Sequence, residues 1–267
     1  MNATDSIKIK PAVISEKGEI CCHAVIFDLD GTLVDTGCGI KNSIRKTIEV
    51  MALPPKTDEE LDKCIGPPLR AAFRQFLHIP EENISKAVQI YRAFYYQSGI
   101  YEAHVYDGIP QLLKDLRGKG YQIAVGTSKA WVLAHRILRH FELRPDIDGV
   151  FGCYRDGRLD DKAQVLQAIL DHYSGKKRLA PGRLGDRKDK DTSAYRDRGG
   201  PHRELRLLMV GDRYYDIEGA RAVGLPAIGV TFGYGTAKEL KDAGAALIVD
   251  HPAEISGKLP LLQAGAQ

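Results

Sequence analysis

The sequence predicts an α/β protein built on a doubly wound parallel sheet, with a small all-helical unit inserted near its start. Three observations predict it. Short apolar runs at 24–28, 121–126, 206–211, 225–230 and 246–249 have the length and composition of fully buried strands. Helix-period stretches fall between the later runs, the alternation that a parallel sheet covered on both faces requires. From about 37 to 103 the alternation stops, and only helical patterns occur: Ile40 to Met51, Asp58 to Cys64, Leu69 to Leu77 and Glu81 to Gln97, broken at Leu53-Pro54-Pro55 and Gly66-Pro67-Pro68.

Residues 1–21 read as an N-terminal tail. Asp5, Lys8, Lys10, Pro11, Glu16 and Lys17 deny it the apolar centre of a secretory signal, and no run in the chain is long enough to cross a bilayer. A cytoplasmic location without a membrane partner is the expectation. The core domain is expected to comprise residues 22–36 and 104–267, and the helical cap domain residues 37–103. In the core, Leu112, Leu113 and Leu116 share a helix face, as do Leu133, Ile137 and Leu138, and then Val165, Leu166 and Ile169. Ligands of open α/β sheets bind beyond the carboxyl ends of the strands, so a unit leaving after the first strand is placed to act as a lid.

The 267 residues carry a net charge of +3 that is unevenly distributed. Residues 173–206 hold eleven Lys or Arg against five Asp or Glu, a surplus of six that leaves the rest of the chain near −3. Rich in Gly, Pro and charge and without apolar periodicity, that segment reads as a flexible, solvated surface insertion, and no nucleic-acid partner is expected. Five cysteines, an odd number without CxxC spacing, are expected to be reduced thiols.

Four stations carry chemistry. Val25-Ile26-Phe27 delivers Asp28 and Asp30, separated by Leu29, into a turn at Gly31-Thr32. A carboxylate at the end of a buried strand is costly unless a cation or donors receive it. Thr127-Ser128-Lys129 ends the second strand, where hydroxyls and the free amides of a helix N-terminus make a phosphate cradle or, equally, a plain helix cap. Lys162 opens a helix, against the macrodipole, which suggests an anion or carboxylate nearby, although a lone surface lysine is the commoner reason for such a residue. Gly211-Asp212 ends a further strand, and Asp216 follows one turn later, placed to support Asp212 or the lysine. Hard oxygen ligands without His or Cys favour Mg²⁺ over Zn²⁺.

In this order the stations resemble the haloacid dehalogenase (HAD) superfamily of phosphohydrolases, over essentially the whole chain from Cys22 to about Leu259. The resemblance implies a HAD-like Rossmannoid core and a Mg²⁺-dependent phosphatase acting on a small phosphorylated substrate. It makes Asp28 the nucleophile and Asp30 the general acid and base. Thr127 binds the phosphoryl group, Lys162 neutralises it and holds Asp28, and Asp28, Asp212 and the Asp30 backbone carbonyl hold the metal. Gly31, Thr32, Ser128 and Lys129 are expected at the substrate, and Asp216 in a supporting role.

The cap is similar to the C1 lid of the phosphoglycolate phosphatase branch. Ile65-Gly66-Pro67-Pro68-Leu69, Tyr106-Asp107-Gly108 and Thr127-Ser128-Lys129 resemble its phosphoglycolate phosphatase and 5′-nucleotidase members. Gly66 then brings a cap loop over the site, and Arg70 either meets a substrate anion or is a solvated helix residue. Two departures stand out: Ala130-Trp131 replaces a common proline, and the 173–206 insertion replaces a short connection. The alternatives are a phosphosugar mutase on the same core and a non-catalytic binding protein acting through the basic insertion. Asp30 argues against dehalogenase chemistry.

Overall fold

The computed structural model describes residues 7–154, 158–159, 161–176 and 204–260. Most of the charged insertion expected at 173–206 lies outside the described residues, but its two ends are regular: Tyr173 closes a helix and Glu204–Arg206 open a strand. In chain order the elements begin with β1 (Lys8–Pro11), β2 (Val13–Ile14), β3 (Ile20–Cys21), β4 (Ala24–Phe27) and β5 (Val34–Asp35). The helices α1 (Gly37–Val50), α2 (Asp58–Asp62), α3 (Leu69–Gln75) and α4 (Glu81–Gln97) follow. Then come β6 (His104–Val105), α5 (Ile109–Gly118), β7 (Gln122–Ala130), α6 (Trp131–His140), β8 (Gly149–Cys153) and α7 (Lys162–Tyr173). The chain continues with β9 (Glu204–Gly211), α8 (Tyr214–Ala222), β10 (Ala227–Val230), α9 (Ala237–Ala243), β11 (Leu247–Val249) and α10 (Pro252–Lys258).

The main sheet has the order β11-β10-β9-β4-β7-β8, with every pairing parallel. From β4 the chain winds outward through β7 and β8, then returns to the other side of β4 for β9, β10 and β11. The winding reverses between β4 and β9, and the carboxyl ends of strands at such a reversal form a ligand crevice. Alternation along the strands splits the core in two. Val25, Phe27, Ile123, Val125, Leu208 and Val210 face one way, under α5, α6 and α10. Ala24, Ile26, Ala124, Leu207 and Met209 face the other, under α7, α8 and α9.

Two strands of the main sheet depart from the sequence expectation. Lys8–Pro11, placed in a tail, pairs in parallel with Glu204–Leu207 of β9, and Leu207 O also accepts from the Ala12 amide at 3.0 Å. Its sequence Lys-Ile-Lys-Pro has a single aliphatic residue because it lies mostly exposed at the sheet edge. The other strand, β8, has two glycines in five residues, too few apolar side chains for the pattern to show. Gly152 has a packing reason: a Cβ there would lie 2.4 Å from Lys129 O, where β7 bulges between Thr127 and Ala130.

The helices α1 to α4 leave and rejoin the core through a short antiparallel ribbon, Val34 opposite Val105 and Asp35 opposite His104. The helix ranges agree with the periodicity to within three residues at each end. Thr57 caps α2 with a reciprocal bond to Glu60. Ile40, Ile44 and Ile48 of α1 share a core with Ile84, Ala87 and Tyr91 of α4. None of the five cysteines is in a disulfide. Among the described residues no helix is long and apolar enough to cross a membrane.

Candidate active site

The carboxyl ends of β4, β7 and β9 bring the four sequence stations together. Asp28 follows β4 directly, and its amide donates to Val210 O at 2.9 Å, which locks it to β9. Lys162, the first residue of α7, reaches across under the sheet edge. Its ammonium donates to Asp28 Oδ1 at 2.7 Å, to Gly126 O at 2.8 Å and lies 2.7 Å from Asp216 Oδ1. That uses all three ammonium protons of a lysine that is almost fully buried. Burial alone would lower the Lys162 pKa, but the Asp216 and Asp28 carboxylates outweigh it and raise the value, so the charge is held.

Asp212, wholly buried, accepts from the Thr32 hydroxyl at 3.0 Å and from the Tyr234 amide at 2.9 Å. Gly31 makes this possible. At φ +87° it occupies the left-handed region, and a Cβ would come 2.2 Å from an Asp212 carboxylate oxygen. Gly31 and Thr32 were expected at the substrate; the structure instead packs them on Asp212, and neither lines the cavity above.

Asp30 is turned to a different set of partners. Its Oδ1 accepts from the Thr36 hydroxyl at 2.5 Å, and the Lys129 ammonium lies 2.8 and 3.0 Å from its two oxygens. Lys129, expected at the substrate, is thus engaged by Asp30, and its ammonium also sits 4.8 Å from the ring centroid of Tyr95 on α4. Thr127 and Ser128 line the cavity, but they do not open a helix. The strand continues to Ala130 and α6 starts at Trp131, so the bulge in β7, rather than a helix N-terminus, presents these hydroxyls. Thr127 Oγ1 accepts from the Lys129 amide at 3.1 Å, leaving its proton free to donate.

The cavity encloses about 230 Å³. Asp28, Asp30, Thr127 and Ser128 line it from the core, and Gly66, Arg70 and Tyr91 from the helical insertion. Arg70 is exposed and donates to Ser85 Oγ at 3.0 Å, so part of its guanidinium is spent within the insertion. Arg213, a residue the motif reading passed over, ties the two parts together. Its guanidinium donates to Ile65 O at 2.9 Å and to Glu239 at 2.8 Å. Thr36 was also missed; its signal is a hydroxyl just before a helix that leaves the site, whose side chain caps nothing.

One oxygen each from Asp28, Asp212 and Asp216 lies within 4.8 Å of the others. The Asp30 carboxylate stands outside this group. Burial pushes Asp28 up to about 7 despite Lys162, and burial with the neighbouring Asp216 and Asp28 carboxylates pushes Asp212 well above the usual range. Asp28, Asp212 and Asp216 offer an all-oxygen donor set, which fits Mg²⁺.

Known proteins resemble the chain over most of its length. Residues 25–177 match the family described as haloacid dehalogenase-like hydrolase, and residues 185–255 match a second hydrolase-like family. A 5′-nucleotidase of Pseudomonas aeruginosa is 32% identical over 217 residues, 81% of this chain and 86% of that protein. Tyrosine-protein kinase PtkA of Mycobacterium tuberculosis is 34% identical over 231 residues, 86% of this chain and 69% of that protein. The crystal structure of a predicted phosphatase from Clostridium acetobutylicum superposes with a TM-score of 0.75 at 33% identity, covering 89% of this chain and 97% of that one. The chain therefore belongs to the haloacid dehalogenase-like hydrolase family.

Proposed function

We propose that the protein is a Mg²⁺-dependent phosphatase that hydrolyses a small phosphomonoester through an aspartyl-phosphate intermediate. The observation that carries this reading is the separation of the two aspartates. Both line one cavity, but Asp28 is held by Lys162 within the acidic cluster, whereas Asp30 is held apart by Thr36 and Lys129. This division supports attack by one carboxylate and proton transfer by the other.

Asp28, Asp212 and the Asp30 backbone carbonyl would hold the metal, with Asp216 steadying Lys162 beside them. Bound Mg²⁺ supplies positive charge that neutralises the phosphoryl oxygens. The Asp28 carboxylate attacks phosphorus, the bond from phosphorus to the ester oxygen breaks, and Asp30 gives its proton to the departing alkoxide. Asp30 then takes a proton from water as that water attacks the aspartyl phosphate, which releases inorganic phosphate and restores Asp28. The Thr127 hydroxyl donates to the phosphoryl oxygens, and Lys162 stabilises them through its charge while its protons stay on Asp28, Gly126 O and Asp216. The helical insertion, closing the cavity through α4 and the Gly66 loop, acts as a lid that keeps water out while the ester is intact.

A phosphate-release screen tests this reading across phosphoglycolate, nucleoside monophosphates, sugar phosphates and pyridoxal phosphate. Release from at least one ester with Mg²⁺ is expected, and silence across the panel overturns the reading. EDTA is expected to abolish turnover and Mg²⁺ to restore it. Because the cation binds among the clustered carboxylates of the folded protein, Mg²⁺ at a hundredfold excess over its Kd is also expected to stabilise the fold by about 2.7 kcal/mol. A melting temperature insensitive to Mg²⁺ contradicts the proposed metal site.

A further inference from the structure

The wall that the helical insertion gives to the cavity comes largely from one face of α4. Val88, Tyr91, Arg92 and Tyr95 follow the i, i+3, i+4, i+7 spacing of a single helix stripe, and all four line the cavity. This face lies close to the catalytic carboxylates, because Lys129 bridges Asp30 and the Tyr95 ring.

A stripe of this kind is ordinarily apolar throughout. Val88, Tyr91 and Tyr95 are buried as expected, but Arg92 interrupts them. It is half-buried, and among the described residues no hydrogen-bond acceptor or carboxylate meets its guanidinium. The neighbouring arginines differ: Arg70 is bonded to Ser85 and Arg74 to Glu81. The Tyr95 hydroxyl, in a ring only 1% exposed, also has no partner. The unsatisfied Tyr95 hydroxyl carries a desolvation cost that a ligand acceptor oxygen removes, and the Arg92 guanidinium, which reaches solvent, has no protein acceptor to give up. A guanidinium fork matches a carboxylate or a phosphate. The Tyr91 and Tyr95 rings, stacked with centroids 5.3 Å apart, keep this wall rigid. At about 230 Å³ the cavity is smaller than the roughly 300–1,000 Å³ typical of drug-sized ligands.

We infer that the Arg92 face of α4 is an anion subsite for the leaving group, so that the substrate is a compact phosphomonoester carrying a second negative group. This rests on the phosphatase reading above. The subsite selects a carboxylate or a second phosphate, and it gives no advantage to the uncharged base and ribose of a nucleoside monophosphate.

Steady-state kinetics with Mg²⁺ test the inference on phosphoglycolate and ethylene glycol bisphosphate, against hydroxyethyl phosphate and AMP, which lack the second anion. At least one bis-anionic ester is expected to exceed both controls in kcat/KM by about ten- to a hundredfold, mainly through KM, and the arm that wins identifies the anion. Arg92→Met is expected to lower that ratio about tenfold or more, and Arg92→Lys to retain part of it. An unchanged ratio in Arg92→Met, or turnover of hydroxyethyl phosphate or AMP as efficient as that of the bis-anionic esters, overturns the inference. Calorimetric binding of the same bis-anionic esters to Asp28→Asn, with and without Arg92→Met, reads the subsite without turnover. Arg92-dependent binding with no phosphate release from wild type leaves the subsite standing and removes the phosphatase reading. Phosphate release with Arg92-independent binding does the reverse.

Discussion

Asp28→Asn is expected to reduce phosphate release by about 10⁴-fold or more while leaving the fold intact, because an amide cannot attack phosphorus from this position. The amide replaces a desolvated carboxylate whose pKa burial has pushed up to about 7, so the substitution removes a buried charge rather than a packing contact. Lys162 keeps Asp216 and Gly126 O as partners. The melting temperature is therefore expected to stay level or rise. Phosphate-release kinetics and a thermal melt check both parts. A variant that folds and retains the wild-type rate is incompatible with Asp28 as nucleophile.

Lys162→Met is expected to damage stability as well as activity. The ammonium sits between Asp28 and Asp216, and removing it leaves both carboxylates buried beside Asp212 without their cation. Breaking a buried pair in this way costs about 3–5 kcal/mol, which for a chain of this size lowers the melting temperature by roughly 6–20 °C. Adding Asp216→Asn removes one of the stranded charges and is expected to recover part of the loss. Thermal melts of wild type, Lys162→Met and the double variant decide it. A single variant as stable as wild type, or a double variant whose two losses simply add, contradicts the coupling described here.

Much of the fold was legible because a doubly wound sheet needs continuous apolar strands with charged residues just past their ends. Phe27-Asp28 and Gly211-Asp212 show that pattern directly, and the proline breaks at 54–55 and 67–68 delimit the helices of the insertion. The edges of the sheet were less legible. β1 and β8 lack the apolar content that marks a strand, since one is exposed and the other is built around Gly152 for close approach to Lys129.

Within the site, chain order revealed which residues converge but not how their side chains divide. The resemblance puts Lys129 and Thr32 at the substrate, and each is held by a carboxylate of the site, Asp30 and Asp212 respectively. The extension of β7 to Ala130 was hidden because Thr127-Ser128 is as good a helix cap as a strand end. Arg92 had a readable signal that the pattern search passed over: a cation on the buried stripe of an amphipathic helix.

Chemical trapping of the phosphoenzyme tests the central claim most directly. Wild-type protein is acid-quenched during turnover of a phosphate-labelled substrate, reduced with borohydride, and mapped by mass spectrometry. The account predicts that the modified residue is Asp28 and that no modification forms in Asp28→Asn. Modification of another residue, or turnover that proceeds while Asp28 stays unmodified throughout, would contradict it.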